Sequence, residues 1–276
     1  MPEGDTVLRT ARRLHQALAG RALLAADLRW PGLSTAALTG MVVTEATARG
    51  KHLLTRFDTG WTLHSHLRME GSWVIRPTVA GPPLPLVSER STVRAILVGP
   101  EWTALGLRLG MLDLVRTDEE HHLVGHLGPD VLDPGFDAET AVANLAASGT
   151  SIGAALLDQR NLAGIGTLWA SETLFAEHLH PLGAVGLLDQ RALAAVVSRA
   201  RRLLTANLDH AVQSSTGSRR PGRETYVHGR SGRPCLRCGA TVGLVLVGPV
   251  TRERQLCFCP RCQPRLDPSG IAPLAP

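Results

Sequence analysis

Apolar residues Val7, Leu8, Ala11, Leu14 and Leu18 recur at the spacing of one helical face, so a helix begins almost at the start of the chain. Asp5 or Thr6 is its candidate N-cap, and Gly20 is its stop. From about residue 21 to residue 116 the period shortens. Runs rich in β-branched and apolar residues at 41–44, 52–57, 61–66, 72–75 and 93–98 are separated by turn residues, and Asp58-Thr59-Gly60 supplies a hairpin between the second and third. Short strands repeated in this way predict a β-sandwich or flattened barrel. The proline-rich stretch 77–88 reads as a surface loop between strands. Helical periodicity returns at 138–147, 152–157, 168–175 and 188–208, with the domain boundary placed at 118–133. Residues 213–223 are polar and carry Arg219, Arg220 and Arg223, which reads as a mobile basic loop. Segments 242–247 and 252–258 can pair as a last β-hairpin. The fold class is therefore α+β and multidomain: residues 1–117, 118–230 and 231–264, with a tail at 265–276.

Length agrees with more than one domain, since 276 residues exceed the roughly 100 to 200 of a single one. No run approaches the ~20 apolar residues needed to span a bilayer, and the first residues are polar where a signal peptide is apolar. A cytoplasmic protein with no membrane association is expected. The formal charge of +5 favours polyanionic partners without specifying one. More telling is that Lys51 is the only lysine among 29 Lys and Arg residues. Arginine usage of this kind follows from a GC-rich coding sequence, and against it a solitary lysine suggests a titratable amine at work.

All five cysteines lie in the last sixth of the chain. Cys235-Leu-Arg-Cys238 and Cys259-Pro-Arg-Cys262 are two CxxC knuckles, each able to place two thiolates on one tetrahedral ion. With a hairpin between them they predict a zinc ribbon holding one structural zinc; a redox dithiol pair is the competing reading. Cys257 shares the strand face of Cys259, but four thiolates already fill the site and leave no open position for catalysis. A ribbon serves nucleic-acid and protein partners alike, and Arg252 and Arg254 on its second strand favour the former.

Pro2-Glu3-Gly4 has the composition of a flexible tail. Two features argue for chemistry instead. Proline in second position favours removal of Met1, which exposes a secondary amine, and a helix starts within a few residues. The positive end of that helix disfavours an ammonium, so an α-amine, ~7.7 to 8.0 in free peptides, is neutral often enough to attack carbon. Beside it, the carboxylate of Glu3 can move a proton.

Four segments, in order along the chain, resemble the formamidopyrimidine-DNA glycosylase/endonuclease VIII family: Met1-Pro2-Glu3-Gly4-Asp5, Arg49-Gly50-Lys51-His52-Leu53, Asn161-Leu-Ala-Gly-Ile-Gly166 and Cys259-Pro-Arg-Cys262-Gln263. The resemblance implies an N-terminal β-sandwich, a helix-two-turn-helix domain and a zinc-finger hairpin acting on damaged DNA. It implies that Pro2 attacks C1′ of the damaged nucleotide to give a Schiff base, that Glu3 assists sugar ring opening, and that β- and δ-elimination then cut the strand. Lys51 matches a lysine that helps base release and meets phosphate. Asn161 and Arg254 match phosphate ligands, and the Gly164 to Gly166 turn lets backbone N–H groups approach the same phosphate. His64-Ser-His66-Leu-Arg68-Met69-Glu70-Gly71 is similar to the loop that fills the gap left by an everted nucleotide, with Met69 as wedge and Arg68 beside it. Met69 also reads as a strand-end core residue. His64 and His66 alternate like a metal pair but lack a third ligand, and His121, His122 and His126 read as a surface linker.

This sequence departs from the family pattern at Thr167, where a second asparagine is usual, at Thr6, where many members have a carboxylate, and in a longer gap between the knuckles. The partner implied is damaged DNA, duplex or single-stranded, bound by a monomer with no small-molecule cofactor. Pro-Glu-Gly places the chain nearer the endonuclease VIII side and so nearer oxidised pyrimidines. An oxidised-purine glycosylase, and a zinc-ribbon DNA-binding protein without catalysis, are the alternatives.

Overall fold

The computed structural model describes residues 2–33, 38–79 and 92–265, so most of the proline-rich stretch and of the C-terminal tail lies outside the described residues. Contacts divide the chain into two compact units. One comprises residue 2 and residues 6–126; the other comprises residues 3–5 and the chain from 127 onward.

In the first unit, helix α1 (Gly4–Leu18) turns Val7, Ala11, Leu14, Ala17 and Leu18 into the core, as its 3.6-residue period dictates. Eight strands follow: β1 (Ala25–Leu28), β2 (Val43–Arg49), β3 (His52–Phe57), β4 (Trp61–His66), β5 (Ser72–Pro77), β6 (Val93–Val98), β7 (Trp102–Leu107) and β8 (Met111–Arg116). They form two antiparallel four-stranded sheets, ordered β1-β6-β7-β5 and β2-β3-β4-β8. Leu53, Leu63 and Leu112 from one sheet share a hydrophobic core with Ala26, Trp73, Leu97 and Ala104 from the other, and the Trp73 indole donates to Ser65 Oγ at 3.1 Å. Of the two expectations, the sandwich is the one realised. Gly60 takes the positive φ of 75° needed to turn β3 into β4.

Because side chains alternate across a strand, the other face of the β2-β3-β4-β8 sheet carries His52, Leu54, Arg56, Thr62, His64, His66 and Asp113. Arg56 and Thr62 both donate to the carboxylate of Glu120, and Arg56 also to Glu45, which ties the segment after β8, including short helix α2 (His121–Val124), to that face.

The second unit contains α3 (Ala138–Ala147), α4 (Ile152–Leu157), α5 (Thr167–Ala176), α6 (Gln190–Thr205) and the hairpin β9 (Gly243–Val247) and β10 (Arg254–Phe258). Asp137, Ser151 and Asp189 cap α3, α4 and α6 by accepting from backbone N–H groups. The cap of Asp189 explains why α6 starts at Gln190 and not at residue 188. Helix α5 is buried along nearly its whole length and packs Trp169, Leu174 and Phe175 into the unit's interior. Its N-cap, Gly166, has no side chain to offer.

Three strands escaped the sequence pattern. β1 is only four residues long, and β7 and β8 alternate too weakly to stand out. β2 begins at Val43 and runs to Arg49, later than the expected 41–44. The segment expected to be a mobile basic loop is instead extensively hydrogen-bonded. Ser214 is buried and exchanges bonds with Asn207, its Oγ donates to the carbonyl of Ser218, and Thr216 Oγ1 donates to that of Arg223.

Candidate active site

Glu3 is fully buried, and its carboxylate accepts backbone N–H bonds from Gly166 at 2.6 Å, Leu168 at 2.8 Å and Trp169 at 3.3 Å. It therefore caps α5 from a distant point in the sequence, satisfying the donors that Gly166 cannot and placing a negative charge at the positive end of the helix. Beside it the Gly4 N–H donates to the Gly164 carbonyl at 2.8 Å, and Asp5 accepts two bonds from the Gln213 amide. Residues 3–5 are thus held by buried hydrogen bonds and are not a loose tail.

These contacts revise the expectation for the glycine turn. The N–H of Gly166 is bonded to Glu3, and that of Gly164 to Gln159 Oε1, so neither is offered to a phosphate as expected. Gly166 is needed for a different reason: a Cβ there would stand 2.5 Å from Glu3 Cδ. Thr167 is buried in the first turn of α5. Asn161 is half-buried, with its amide donating to the Ala155 carbonyl at 3.0 Å.

In the first unit, Lys51 sits at the β2–β3 turn, where Arg49 pairs with His52 and Gly50 takes φ 58° in the first central position, as a type II′ hairpin requires. Met69 is 62% exposed at the tip after β4, which removes the core reading of that residue. Arg68 precedes it in the left-handed region at φ 52°, lying over Gly110, where an added Cβ would meet Arg68 Cγ at 2.0 Å. His121, His122 and His126 are exposed, and the His126 ring lies 6.3 Å from that of His52.

The Sγ atoms of Cys235, Cys238, Cys259 and Cys262 lie within 4.8 Å of one another. Sulfurs on a tetrahedron around a zinc ion at ~2.3 Å stand roughly 3.8 Å apart, and Cys238 Sγ is 3.4 Å from Cys259 Sγ, so the cluster fits a structural metal. Without a cation, four thiolates cannot share this space. The Ala240 N–H holds the Cys238 thiol down to about 7, while burial pushes those of Cys259 and Cys262 up. Cys257 is buried outside the cluster, its N–H bonded to Ser171 Oγ. Arg254 is exposed on β10, opposite Val247. Replacing Cys259 with serine is expected to lower bound metal and ordering of the hairpin together, read by elemental analysis and thermal melting; retention of a full metal complement would refute the four-cysteine assignment.

Residues 1–99 match the formamidopyrimidine-DNA glycosylase N-terminal domain, and residues 127–218 match the formamidopyrimidine-DNA glycosylase H2TH domain. A Streptomyces coelicolor protein named probable endonuclease 8 2 is 48% identical over 283 residues, covering 100% of this chain and 99% of the relative. The chain belongs to the formamidopyrimidine-DNA glycosylase family. Another member, the DNA-(apurinic or apyrimidinic site) lyase Nei2 of Mycolicibacterium smegmatis, is 39% identical over 264 residues, which is 95% of this chain and 99% of the relative. Among solved structures, the Lactococcus lactis formamidopyrimidine-DNA glycosylase in complex with abasic-site DNA has the same fold, with a TM-score of 0.79 at 24% identity over 95% of this chain and all of the other.

The fold also buries polar groups that the sequence did not single out. Glu172, in the middle of α5, accepts from the N–H groups of Tyr226, Val227 and His228 and from the Ser215 hydroxyl, and burial pushes its carboxyl up. Asp113, His64 and His52 form a second such group. A glutamate inside an apolar helix was the only available signal for the first; the register of β3, β4 and β8 was needed for the second.

Proposed function

We propose that this chain is a bifunctional DNA glycosylase and abasic-site lyase that removes oxidised bases, pyrimidines foremost, from DNA. The observation that carries the reading is the anchored N-terminus: a buried carboxylate, fixed by three N–H bonds at the head of α5, follows directly on the proline whose amine is the nucleophile. Membership in a family whose relatives are named for these activities supports it.

Once Met1 is removed, the Pro2 nitrogen attacks C1′. The C–N bond forms as the glycosidic bond breaks, and the base leaves with that electron pair and takes up a proton. Glu3 transfers a proton to the ring oxygen, the sugar opens, and an iminium ion links Pro2 to C1′. The positive iminium acidifies the C2′ proton, so its removal expels the 3′ phosphate, and a second elimination expels the 5′ phosphate. Lys51 assists base release. Met69 and Arg68 occupy the gap left by the everted nucleotide, and Asn161 and Arg254 hold phosphates. Gly166 contributes by seating Glu3 and not as a phosphate donor. On this reading the chemistry belongs to residues 1–117 and the grip on DNA to 118–230 and 231–264. Zinc is the ion that fits the four cysteines; it is structural, and no chemical step passes through it.

The nearer identity to proteins named endonuclease 8 than to those named formamidopyrimidine-DNA glycosylase, 48% and 39% against 32%, favours oxidised pyrimidines. The test is an incision panel of oxidised pyrimidines, oxidised purines and abasic sites in duplex and single-stranded DNA, with borohydride trapping. Pyrimidine lesions are expected to be cut at least tenfold faster than purine lesions, with a trapped adduct on each cleaved substrate. Binding of DNA with neither cleavage nor adduct, by protein shown to begin at Pro2, would establish the non-catalytic alternative.

A further inference from the structure

On the face of the β2-β3-β4-β8 sheet away from the sandwich core, three side chains make a continuous hydrogen-bonded row. Asp113 Oδ2 lies 2.9 Å from His64 Nδ1, and His64 Nε2 lies 2.9 Å from His52 Nδ1. Strand register produces the row, since His64 is directly opposite Asp113, and His52 is opposite His66, two residues along the same face. Asp113 is 41% exposed at one end, His64 is fully buried in the middle, and His52 stands next to Lys51 at the other.

The direction of the row follows from the donor inventory. An ionised carboxylate can only accept, so His64 Nδ1 carries the proton and donates. A neutral imidazole has one donor, so His64 Nε2 is then an acceptor, and the atom facing it, His52 Nδ1, must be a donor. His52 is left with Nε2 as an acceptor. Both rings are thereby held as Nδ1–H tautomers, the minor form of a neutral imidazole in water. Both rings must be neutral for this, and their surroundings hold them so. Burial, followed by His64 and His66 on β4, His126 and Arg68, pushes His52 down to about 3; burial lowers His64 against the opposing pull of Asp113; and burial, Arg68, His64 and Lys51 push His66 down to about 4.

We propose that Asp113, His64 and His52 form a one-directional tautomer relay that positions the Lys51 turn, and that these three are positioning residues for base release. Lys51 and Gly50 are the two residues between the paired Arg49 and His52, so the orientation of His52 fixes one foot of the turn. The other wall is His66, opposite His52 with ring centroids 5.0 Å apart in an edge-to-face arrangement, and His66 feels the charge of Lys51. A reversed relay would put Nε2–H of His52 where an acceptor now stands, in a cluster that already contains the cations of Lys51 and Arg68. This inference rests on the glycosylase reading for its consequence, but the relay itself is readable without any activity.

The test begins with the full-length zinc-bound protein labelled with 15N-histidine, using long-range proton–nitrogen correlation to assign each imidazole's tautomer. His52 and His64 are expected to be neutral Nδ1–H forms at pH 7, and His52 to remain so at pH 6, where a free histidine is largely protonated. An Nε2–H form or an imidazolium at either position at pH 7 would overturn the relay. Asp113→Leu removes the acceptor at the exposed end, so His64 is expected to pass to its Nε2–H form and His52, which Asp113 does not touch, to follow it. A change at His64 alone would overturn the coupling. In single-turnover assays the same variant is expected to release an oxidised pyrimidine about tenfold more slowly while trapping on abasic DNA changes less than twofold, because a misplaced orienting group penalises the step it serves. His52→Phe should slow base release similarly with the His64 tautomer unchanged. Equal loss of trapping and base release would reduce the row to a structural role. If wild-type protein shows the tautomers yet releases no base, the glycosylase reading fails and the relay stands.

Discussion

Protein in which Pro2 is preceded by a residue that cannot be removed is expected to give no borohydride-trapped adduct above background, a loss of at least about a thousandfold relative to protein that begins at Pro2. The reason is electronic. With a residue ahead of it the proline nitrogen is an amide, its lone pair is shared with a carbonyl, and it cannot attack C1′. Helix α1 and the cysteine cluster do not depend on that nitrogen, so metal content and the melting temperature should be unchanged. Affinity for abasic DNA should fall far less than adduct formation and should still decline steeply as salt rises, because phosphate contacts dominate it. Intact-mass measurement of both proteins is the necessary companion. A normal adduct from the blocked protein would assign the nucleophile elsewhere, with Lys51 the first candidate as the chain's only lysine.

The second large effect is expected from Gly166→Ala. The backbone at Gly166 has φ −121° and ψ −163°, extended values that alanine adopts without strain, so the substitution tests the added methyl alone. That methyl would stand 2.5 Å from Glu3 Cδ and 2.6 Å from Oε1, and the carboxylate must move. When it moves, the N–H groups of Gly166, Leu168 and Trp169 lose a charged acceptor in a buried setting, a cost of about 1 to 3 kcal/mol in stability. Catalysis should suffer more, because a displaced proton-transfer group forfeits most of its contribution, typically about 10² to 10⁴ in rate. Glu3→Gln separates the two effects in part: its one amide oxygen can keep the bonds from Gly166 and Trp169 while its NH2 group faces the Leu168 N–H, so α5 loses part of its cap, and the amide cannot transfer the proton. Full base excision by Gly166→Ala, alongside a lowered melting temperature, would leave Glu3 a helix cap and nothing more.

Both experiments turn on how differently local and distant contacts can be read from a chain. The boundaries of β3, β4, β6, α3 and α4 matched the periodic runs because each is amphipathic or capped by its own neighbours, as with Asp137 before α3. The four cysteines were legible because two CxxC spacings define a ligand set without reference to the fold. Gly166 was read as a donor to phosphate, whereas its N–H is bonded to Glu3. Its partner, Glu3, is 163 positions away, and no local pattern distinguishes a glycine that faces a ligand from one that faces a side chain of the same protein. Asp113, His64 and His52 passed unnoticed for a related reason. The histidine pair at 64 and 66 lacked a third metal ligand and read as structural or phosphate-facing, and nothing local shows that His64 spends both ring nitrogens on Asp113 and His52, a pairing that depends on the alignment of three strands.

By itself, then, the sequence determined what short-range rules can encode: an N-terminal helix, a series of short strands, capped helices and a two-knuckle cysteine hairpin. Tertiary structure decided which of these groups are held and by what. It turned Glu3 from a tail residue into the cap of α5, assigned Gly166 to that carboxylate, brought Ser214 and Glu172 into the hydrogen bonding of a loop that its composition alone would leave unanchored, and aligned three side chains across a sheet. The physical reason is the same in each case. A buried polar group must find a partner, and that partner is set by proximity in the folded chain, which spacing along the sequence does not record.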